Sequence, residues 1–321
     1  MLIKTVALTL LAIPLTLAAA APHAEAAGTP QKVIIDTDIG DDIDDAFAVA
    51  LALRSPELQI LGISTDSGDT EARARIVDRI LGEAARQDIP VAAGIPTPPA
   101  MGLSQLRYGN NGHFARSTHP GAVDFISEQI RRYPGEITLI TIGPVPNIGA
   151  LVDQDPETFR KLKRVVVMGG WIEAVKPDYG NVPALKPEPE WNIKGDIAAA
   201  QKLFRSDVPL YVMPIDSTIH LALDEVNRTI LFAQATPLTD SLTLLYHLWA
   251  GAGGVTPVLF DAMTIAYMTD ATLCPMQSMR IEVDDKGLTR AVSGKPNAQV
   301  CLHSDKDAFM RFYMRRLAPP Q

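Results

Sequence analysis

Six of the ten residues in Asp36-Thr37-Asp38-Ile39-Gly40-Asp41-Asp42-Ile43-Asp44-Asp45 are aspartates. Carboxylates packed that closely repel one another unless a cation or a set of donors compensates them, so any fold of this chain must offer the segment such a partner. The flanks say where the segment lies. Lys32–Asp36 reads as a short apolar strand ending in acid, and Asp44–Arg54 continues as an apolar-rich helix. A solvated acidic turn with helix-capping Asp is the plainest reading, but six Asp exceed what one cap uses. Hard carboxylate oxygens without neighbouring His or Cys suit calcium or magnesium rather than zinc or copper. An EF-hand loop fits poorly, because Gly40 takes the fifth place and Phe47 the twelfth, where that loop needs Glu.

Strand and helix patterns alternate along much of the remaining chain. Apolar, β-branched runs at Gln59–Ser64, Ile89–Ala93, Glu136–Ile142, Arg164–Met168 and Val208–Pro214 read as strands, and Glu71–Arg86 reads as an amphipathic helix. This order predicts an α/β fold: a doubly wound, mostly parallel sheet with a Rossmann-like core. Ligands of such sheets sit at the carboxyl ends of the strands, where the acidic segment lies. Pro96–Pro120 and Trp171–Trp191, rich in Gly, Pro, Asn and aromatic residues, are expected to be long loops over the sheet. No repeat or linker divides the chain, so one domain from 27 to 321 is expected.

Residues 1–26 read as a signal peptide. A basic start, Met1-Leu2-Ile3-Lys4, precedes an uncharged run from Thr5 to Ala21 and the A-x-A pattern Ala24-Glu25-Ala26. A membrane anchor is the rival reading, but the run is short, contains Pro14 and ends in small residues. The expectation is an exported protein, periplasmic or secreted, with no stable membrane span after cleavage. Export makes a Cys274–Cys301 disulfide available, and two separate buried thiols are the alternative. With 29 basic against 37 acidic residues and a net charge of -8, a nucleic-acid polymer is a poor partner.

Five segments, in this order, carry a resemblance: Asp36–Ala46; Gly143-Pro144-Val145-Pro146-Asn147-Ile148; Val165-Val166-Val167-Met168-Gly169-Gly170; Glu190-Trp191-Asn192-Ile193 with Asp196; and Phe260-Asp261-Ala262. As a set spread over nearly the whole mature chain, they resemble the nucleoside hydrolase family of the inosine-uridine preferring type. Asp36-Thr37-Asp38 alone would also satisfy a phosphatase of the haloacid-dehalogenase type. That reading wants an activating Lys and further acids on late strands, whereas the later signals here are amide-rich and aromatic.

The resemblance implies calcium-dependent hydrolysis of the N-glycosidic bond of ribonucleosides, giving nucleobase and ribose, in a chain that forms dimers or tetramers. It makes Asp38 a calcium ligand and the general base. Asp45, Asp261 and the backbone carbonyl of Pro146 become further ligands. Asp44, Asn181, Glu190 and Asn192 would bind sugar hydroxyls, and Met168 would pack beneath the ring. Local chemistry offers plainer roles for three of these: core for Met168, a turn for Asn181 and a helix cap for Asp261. Three departures stand out. The Gly40–Asp44 spacing is two residues longer than in the shortest family form, so Asp41 or Asp42 could take the role given to Asp44. Asp69 stands where many members have Asn, adding a carboxylate near the metal. Phe260 stands where members place a His that protonates the leaving base, so Tyr108, His113, His247 and Trp249 become candidates for an acid or a base-stacking group. A non-catalytic nucleoside- or ribose-binding protein is the alternative function.

Overall fold

The computed structural model describes residues 29–98, 102–176 and 183–320; the signal-like segment 1–26 and Asn181 lie outside the described residues. Nine strands form one sheet: β1 (Gln31–Thr37), β2 (Leu58–Thr65), β3 (Val91–Ala92), β4 (Thr138–Thr141), β5 (Arg164–Met168), β6 (Leu210–Met213), β7 (Gln277–Val283), β8 (Thr289–Val292) and β9 (Ala298–Val300). Their spatial order is β3-β2-β1-β4-β5-β6-β9-β7-β8. Every neighbouring pair from β3 to β9 is parallel, while β7 runs antiparallel to β9 and β8 to β7. The doubly wound, mostly parallel sheet expected from the sequence is therefore present.

The strands read as continuous apolar runs because both faces of the sheet are covered. Val33, Ile35, Ile140, Val166 and Met213 pack into one core, and their alternates Ile34, Leu139, Val165, Val167 and Val212 pack into the other. Helix α1 (Asp44–Leu53) follows β1 and is buried from Asp44 to Ala52. It is roofed by later helices; from Lys306–Leu317, Tyr313 donates to the carbonyl of Phe47 at 3.3 Å. Helix α2 (Thr70–Glu83) follows β2 and is amphipathic, as its pattern predicts. The chain builds outward from β1 to β3 on one side, then crosses to β4 on the other. Between β1 and β4 the connections diverge, which opens the crevice where ligands of such sheets bind.

Differences from the sequence reading have local causes. The third and sixth strands are shorter than expected because Pro90, Pro209 and Pro214 have no N–H to give a ladder. The first long loop carries a short helix, Leu106–Gly109, and the second a bridge between Val175 and Leu185. His119, between Glu71 at 2.8 Å and Asp78 at 3.0 Å, pins the end of the first loop to α2. Strands β7, β8 and β9 lie outside the strands expected from the sequence: β8 and β9 are short, but β7 has seven residues and alternates over Met279-Arg280-Ile281-Glu282-Val283, a signal the sequence does carry. Among the described residues no helix is long and apolar enough to cross a membrane.

Cys274 and Cys301 are fully buried and joined by a disulfide, which ties the entry to β7 to the end of β9. The bond closes a loop with a sequence separation of 27. On the chain-entropy account such a loop contributes about 3 kcal/mol. A Cys274→Ala, Cys301→Ala double variant is expected to lose about that much in equilibrium denaturant unfolding. An unchanged midpoint would show that the bond adds nothing to stability.

Candidate active site

The crevice at the carboxyl ends of β1 and β4 holds a cavity of about 380 Å³, within the range that accepts small ligands. Its floor is acidic: Asp38, Asp41, Asp42, Asp44 and Asp45 from the β1 turn, with Asp261 from the segment before helix Ala262–Thr269. Its walls are Met168, Trp171, Trp191, Phe260, Ile142 and Ile215, with Glu188, Glu190 and Asn192 at the far side.

The turn is shaped by close approaches. A Cβ on Gly143 would lie 2.8 Å from the amide nitrogen and Oδ1 of Asp38 and from Oδ2 of Asp66, so only glycine lets the β4 turn close over the end of β1. Arg73, reaching across from α2, organises the acidic turn. Its guanidinium donates to the carbonyls of Asp38 and Ile39, to that of Ser67 at 2.8 Å, and to the Asp41 carboxylate at 2.8 Å. From the first loop, Gln105 and Ser104 donate to carbonyls of the same turn. One oxygen of Asp41 is held by Arg73, and exposed Asp42 accepts from the amide of Ile43 at 2.7 Å; both acids also line the cavity.

Asp44, Asp45 and Asp261 each bring a carboxylate oxygen within 4.8 Å of the other two. Asp44 and Asp45 sit in the first turn of α1, whose N-terminus favours negative charge. Thr37 donates its hydroxyl to Asp45. Asp261 makes no capping bond, so its carboxylate serves the cluster rather than the helix behind it. Burial is the main force that drives the proton affinities of Asp44, Asp45 and Asp261 well above the usual carboxylate range; repulsion adds to it, from Asp42 and Asp38 at Asp44, from Asp38 and Asp44 at Asp45, and from Asp44, Asp45 and Asp38 at Asp261. Asp38 is pushed up to about 7 by burial, with Arg73 opposing and Asp41 and Glu190 adding.

A hard divalent cation fits this cluster. Both oxygens of Asp66, Oδ2 of Asp36 and Oδ1 of Asp41 are buried without a hydrogen-bond partner. Among the described residues, Arg73 is the only basic side chain hydrogen-bonded to the acidic turn. Oxygen-only donors surrounding uncompensated negative charge are the preference of such ions.

The residues singled out from the sequence fall into three groups. Asp38, Asp44, Asp45, Met168, Glu190, Asn192 and Asp261 all line the cavity. Within this set Asp44 stands in the carboxylate triad, where the sequence reading gave it to a sugar hydroxyl, and Asp38 stands beside the triad rather than in it. Glu190 already accepts from the amides of Gly170, Asn192 and Ile193 at 2.9, 2.9 and 3.1 Å, and Asn192 donates to the Met168 carbonyl at 3.1 Å. Pro146 begins the helix Pro146–Gln154 and does not line the cavity; the next residue, Asn147, donates to Asp36 at 3.0 Å.

The four candidates for an acid or stacking group are placed elsewhere. Tyr108 is buried, donates to Ser241 at 2.8 Å, lies under the Arg79 guanidinium and is pushed up to about 12 by burial. His113 is exposed against Phe114, and exposed His247 meets Tyr246 edge-on. Trp249 reaches the site only through Asp42, whose charge it favours. The rings that do line the cavity are Trp171, Trp191 and Phe260. Their signal was present, since the two tryptophans bracket the second long loop.

Sequence reasoning also missed Arg73 and Asp66. Asp69 is an exposed cap that accepts from Ala72 at 2.9 Å, and the buried carboxylate at the end of β2 is Asp66. The register pairs Asp36 with Ser64 and Thr37 with Thr65, which sets Asp66 level with Asp38. Thr65-Asp66 after β2 thus repeats Thr37-Asp38 after β1, a signal legible once strand register is considered.

A doubly wound sheet that gathers buried carboxylates and aromatic walls at its switch point defines a hydrolase site for a small polar substrate. The family model for inosine-uridine preferring nucleoside hydrolase matches residues 33–311, and the chain belongs to that family. The chain is 31% identical over 317 residues to the pyrimidine-specific ribonucleoside hydrolase RihA of Salmonella arizonae, covering 89% of this chain and 97% of that one. It is 34% identical over 211 residues to uridine nucleosidase 1 of Arabidopsis thaliana; that match covers 62% of this chain and spans 60% of the plant protein's length. Among solved structures, the plant nucleoside hydrolase PpNRh1 superposes with a TM-score of 0.78 at 26% identity, covering 91% of this chain and all of that one. A purine-preferring ribonucleoside hydrolase from Gardnerella vaginalis gives 0.76 at 25% identity, over 90% and 98% of the two chains.

Replacing Arg73, which is 3% exposed, removes the partner of a buried carboxylate and of three carbonyls. Arg73→Met is expected to lose about 3–5 kcal/mol in urea unfolding. Arg73→Lys keeps the charge but cannot span four acceptors, and should fall between the two. A Met variant as stable as the parent would show that the clamp is dispensable.

Proposed function

We propose that the chain hydrolyses the N-glycosidic bond of ribonucleosides in a calcium-dependent reaction, releasing nucleobase and ribose. The observation that carries this reading is the buried triad of Asp44, Asp45 and Asp261 beside Asp38, on the floor of a nucleoside-sized cavity. Asp44, Asp45 and Asp261 would hold the ion, with Asp38 and the Pro146 carbonyl completing its shell. Bound there, calcium would acidify water and polarise the ribose diol.

The chain's own groups supply the rest. Asp38 accepts the proton of the attacking water, a role suited to a buried carboxylate on the cavity floor beside the triad. The acidic floor shelters positive charge as it develops on the sugar in the oxocarbenium-like transition state. Asn192 is held by its amide nitrogen to Met168, which leaves its side-chain oxygen for a sugar hydroxyl. Glu190 and Asn181 are assigned to the remaining hydroxyls, and Met168 to the underside of the ring. Burying the Glu190 carboxylate under three backbone amides fixes its position before substrate arrives.

Export from the cytosol belongs to the same proposal. The basic and apolar character of residues 1–26 supports it, as does the Cys274–Cys301 bond, which is at home in an oxidising compartment.

Asp38→Asn is expected to keep the parent's circular dichroism spectrum and lose about 10³-fold or more in base release from uridine or inosine. Near-normal turnover would remove Asp38 as the base. A chelator should abolish base release and added calcium restore it. Titration calorimetry should show one calcium site in the parent and at least about a tenfold weaker one in Asp261→Asn. Release of phosphate from a phosphomonoester with no cleavage of nucleosides would overturn the assignment in favour of a phosphatase.

A further inference from the structure

We propose that this site favours nucleosides whose base already carries a positive charge, such as an N-ribosylpyridinium or an N7-alkylated purine riboside. The inference rests on the ribonucleoside hydrolysis proposed above and names its substrate class.

When the bond between C1′ and the base nitrogen breaks, its electron pair goes to the base. A neutral base then departs as an anion unless a proton meets it, and a positioned acid is worth about 10²–10⁴-fold in rate. Carboxyl groups, committed here to the negative charge of the site, are the only acids the described cavity residues offer for that proton. Among its described lining residues there is no His, Lys, Arg, Tyr or Cys. Arg73 lies behind the acidic turn with its donors spent on Asp38, Ile39, Ser67 and Asp41. The Trp171 indole N–H is spent on the Glu173 carbonyl at 2.7 Å.

What the cavity offers is the complement of a cation. Trp171, Trp191 and Phe260 present aromatic rings to it, and the negative face of such a ring attracts a delocalised positive charge. Asp42 on the floor and Glu188 at the far side, both exposed, add carboxylates outside the triad. A divalent ion bound by the triad offsets two charges and leaves the cavity anionic, so a cationic base is steered in and held.

Such a substrate also needs no acid. Water oxygen bonds to C1′, the bond to the ring nitrogen breaks, and its electron pair cancels the positive charge of the ring. The base leaves neutral. The proton from water passes to Asp38 and then to solvent, so the products are ribose, neutral base and one proton.

The test compares kcat/KM of the purified protein for nicotinamide riboside and 7-methylguanosine with those for uridine, inosine and guanosine, in the presence of calcium. Because cationic nucleosides are also more reactive in water, each value is divided by the uncatalysed rate, and binding is read separately. The cationic pair should remain preferred after that correction. The cation 1-methylnicotinamide should inhibit about tenfold more tightly than neutral nicotinamide. Phe260→His, which puts a protonatable ring at the wall, should raise kcat/KM for uridine and inosine and narrow the preference by about tenfold or more. Preference for uridine or inosine with equal inhibition by the two nicotinamides would overturn the inference and leave the proposed hydrolysis standing. Failure to cleave any of the five nucleosides would instead overturn the hydrolase reading beneath it.

Discussion

The Arg73 guanidinium reaches the turn after β1, through the carbonyls of Asp38 and Ile39 and the carboxylate of Asp41, and the turn after β2, through the carbonyl of Ser67. Two adjacent strand ends and the helix that follows them are locked by one buried side chain. A neutral donor could satisfy the carbonyls, but only a cation can do so while also answering the negative charge that crowds the turn. Arg73 answers only part of it. Asp36, Asp38, Asp44, Asp45, Asp66 and Asp261 are all nearly devoid of solvent contact, and unpartnered oxygens on Asp36 and Asp66 show how far the charge exceeds the donors supplied by the chain. The turn is built to be completed by an ion.

Charge and apolar surface are separated within the cavity. Carboxylates occupy the floor, at the first turn of α1 and the carboxyl ends of the strands, while Met168, Trp171, Trp191 and Phe260 form walls reached from later elements and loops. A nucleoside has the same division, a hydroxyl-rich sugar joined to a flat, weakly solvated base. The floor comes from the part of the fold that the sheet topology fixes most firmly. Apart from Met168 at the end of β5, the wall residues Trp171, Trp191 and Phe260 come from loops and helix starts, which can change without moving a strand.

The first six strands, the two helices after β1 and β2, and the placing of the acids at a strand end were legible because they rest on apolar periodicity and on local charge. Five of the acids, Asp38, Asp41, Asp42, Asp44 and Asp45, line one cavity and the sixth, Asp36, lies buried behind it. What escaped depends on register and on long-range approach. Arg73 looks like any polar position of an amphipathic helix until α2 is laid over the turn. Asp66 becomes visible only when β2 is paired with β1. Tyr108 and His247 drew attention by side-chain chemistry alone, and geometry gives one to the core and the other to solvent. Strands β8 and β9 are too short to stand out against their loops, whereas the alternation of β7 over Met279–Val283 was legible and was missed.

The Tyr313 to Phe47 contact joins residues 266 positions apart, and Arg316 reaches Glu57 from the same helix. The helix that carries Asp44 and Asp45 therefore leans on a segment far away in the chain. Contacts of such separation must close a very long loop before they repay its entropy, which places them among the slow events of folding. The packing behind α1 is thus completed late, although the turn in front of it is held by the nearby Arg73.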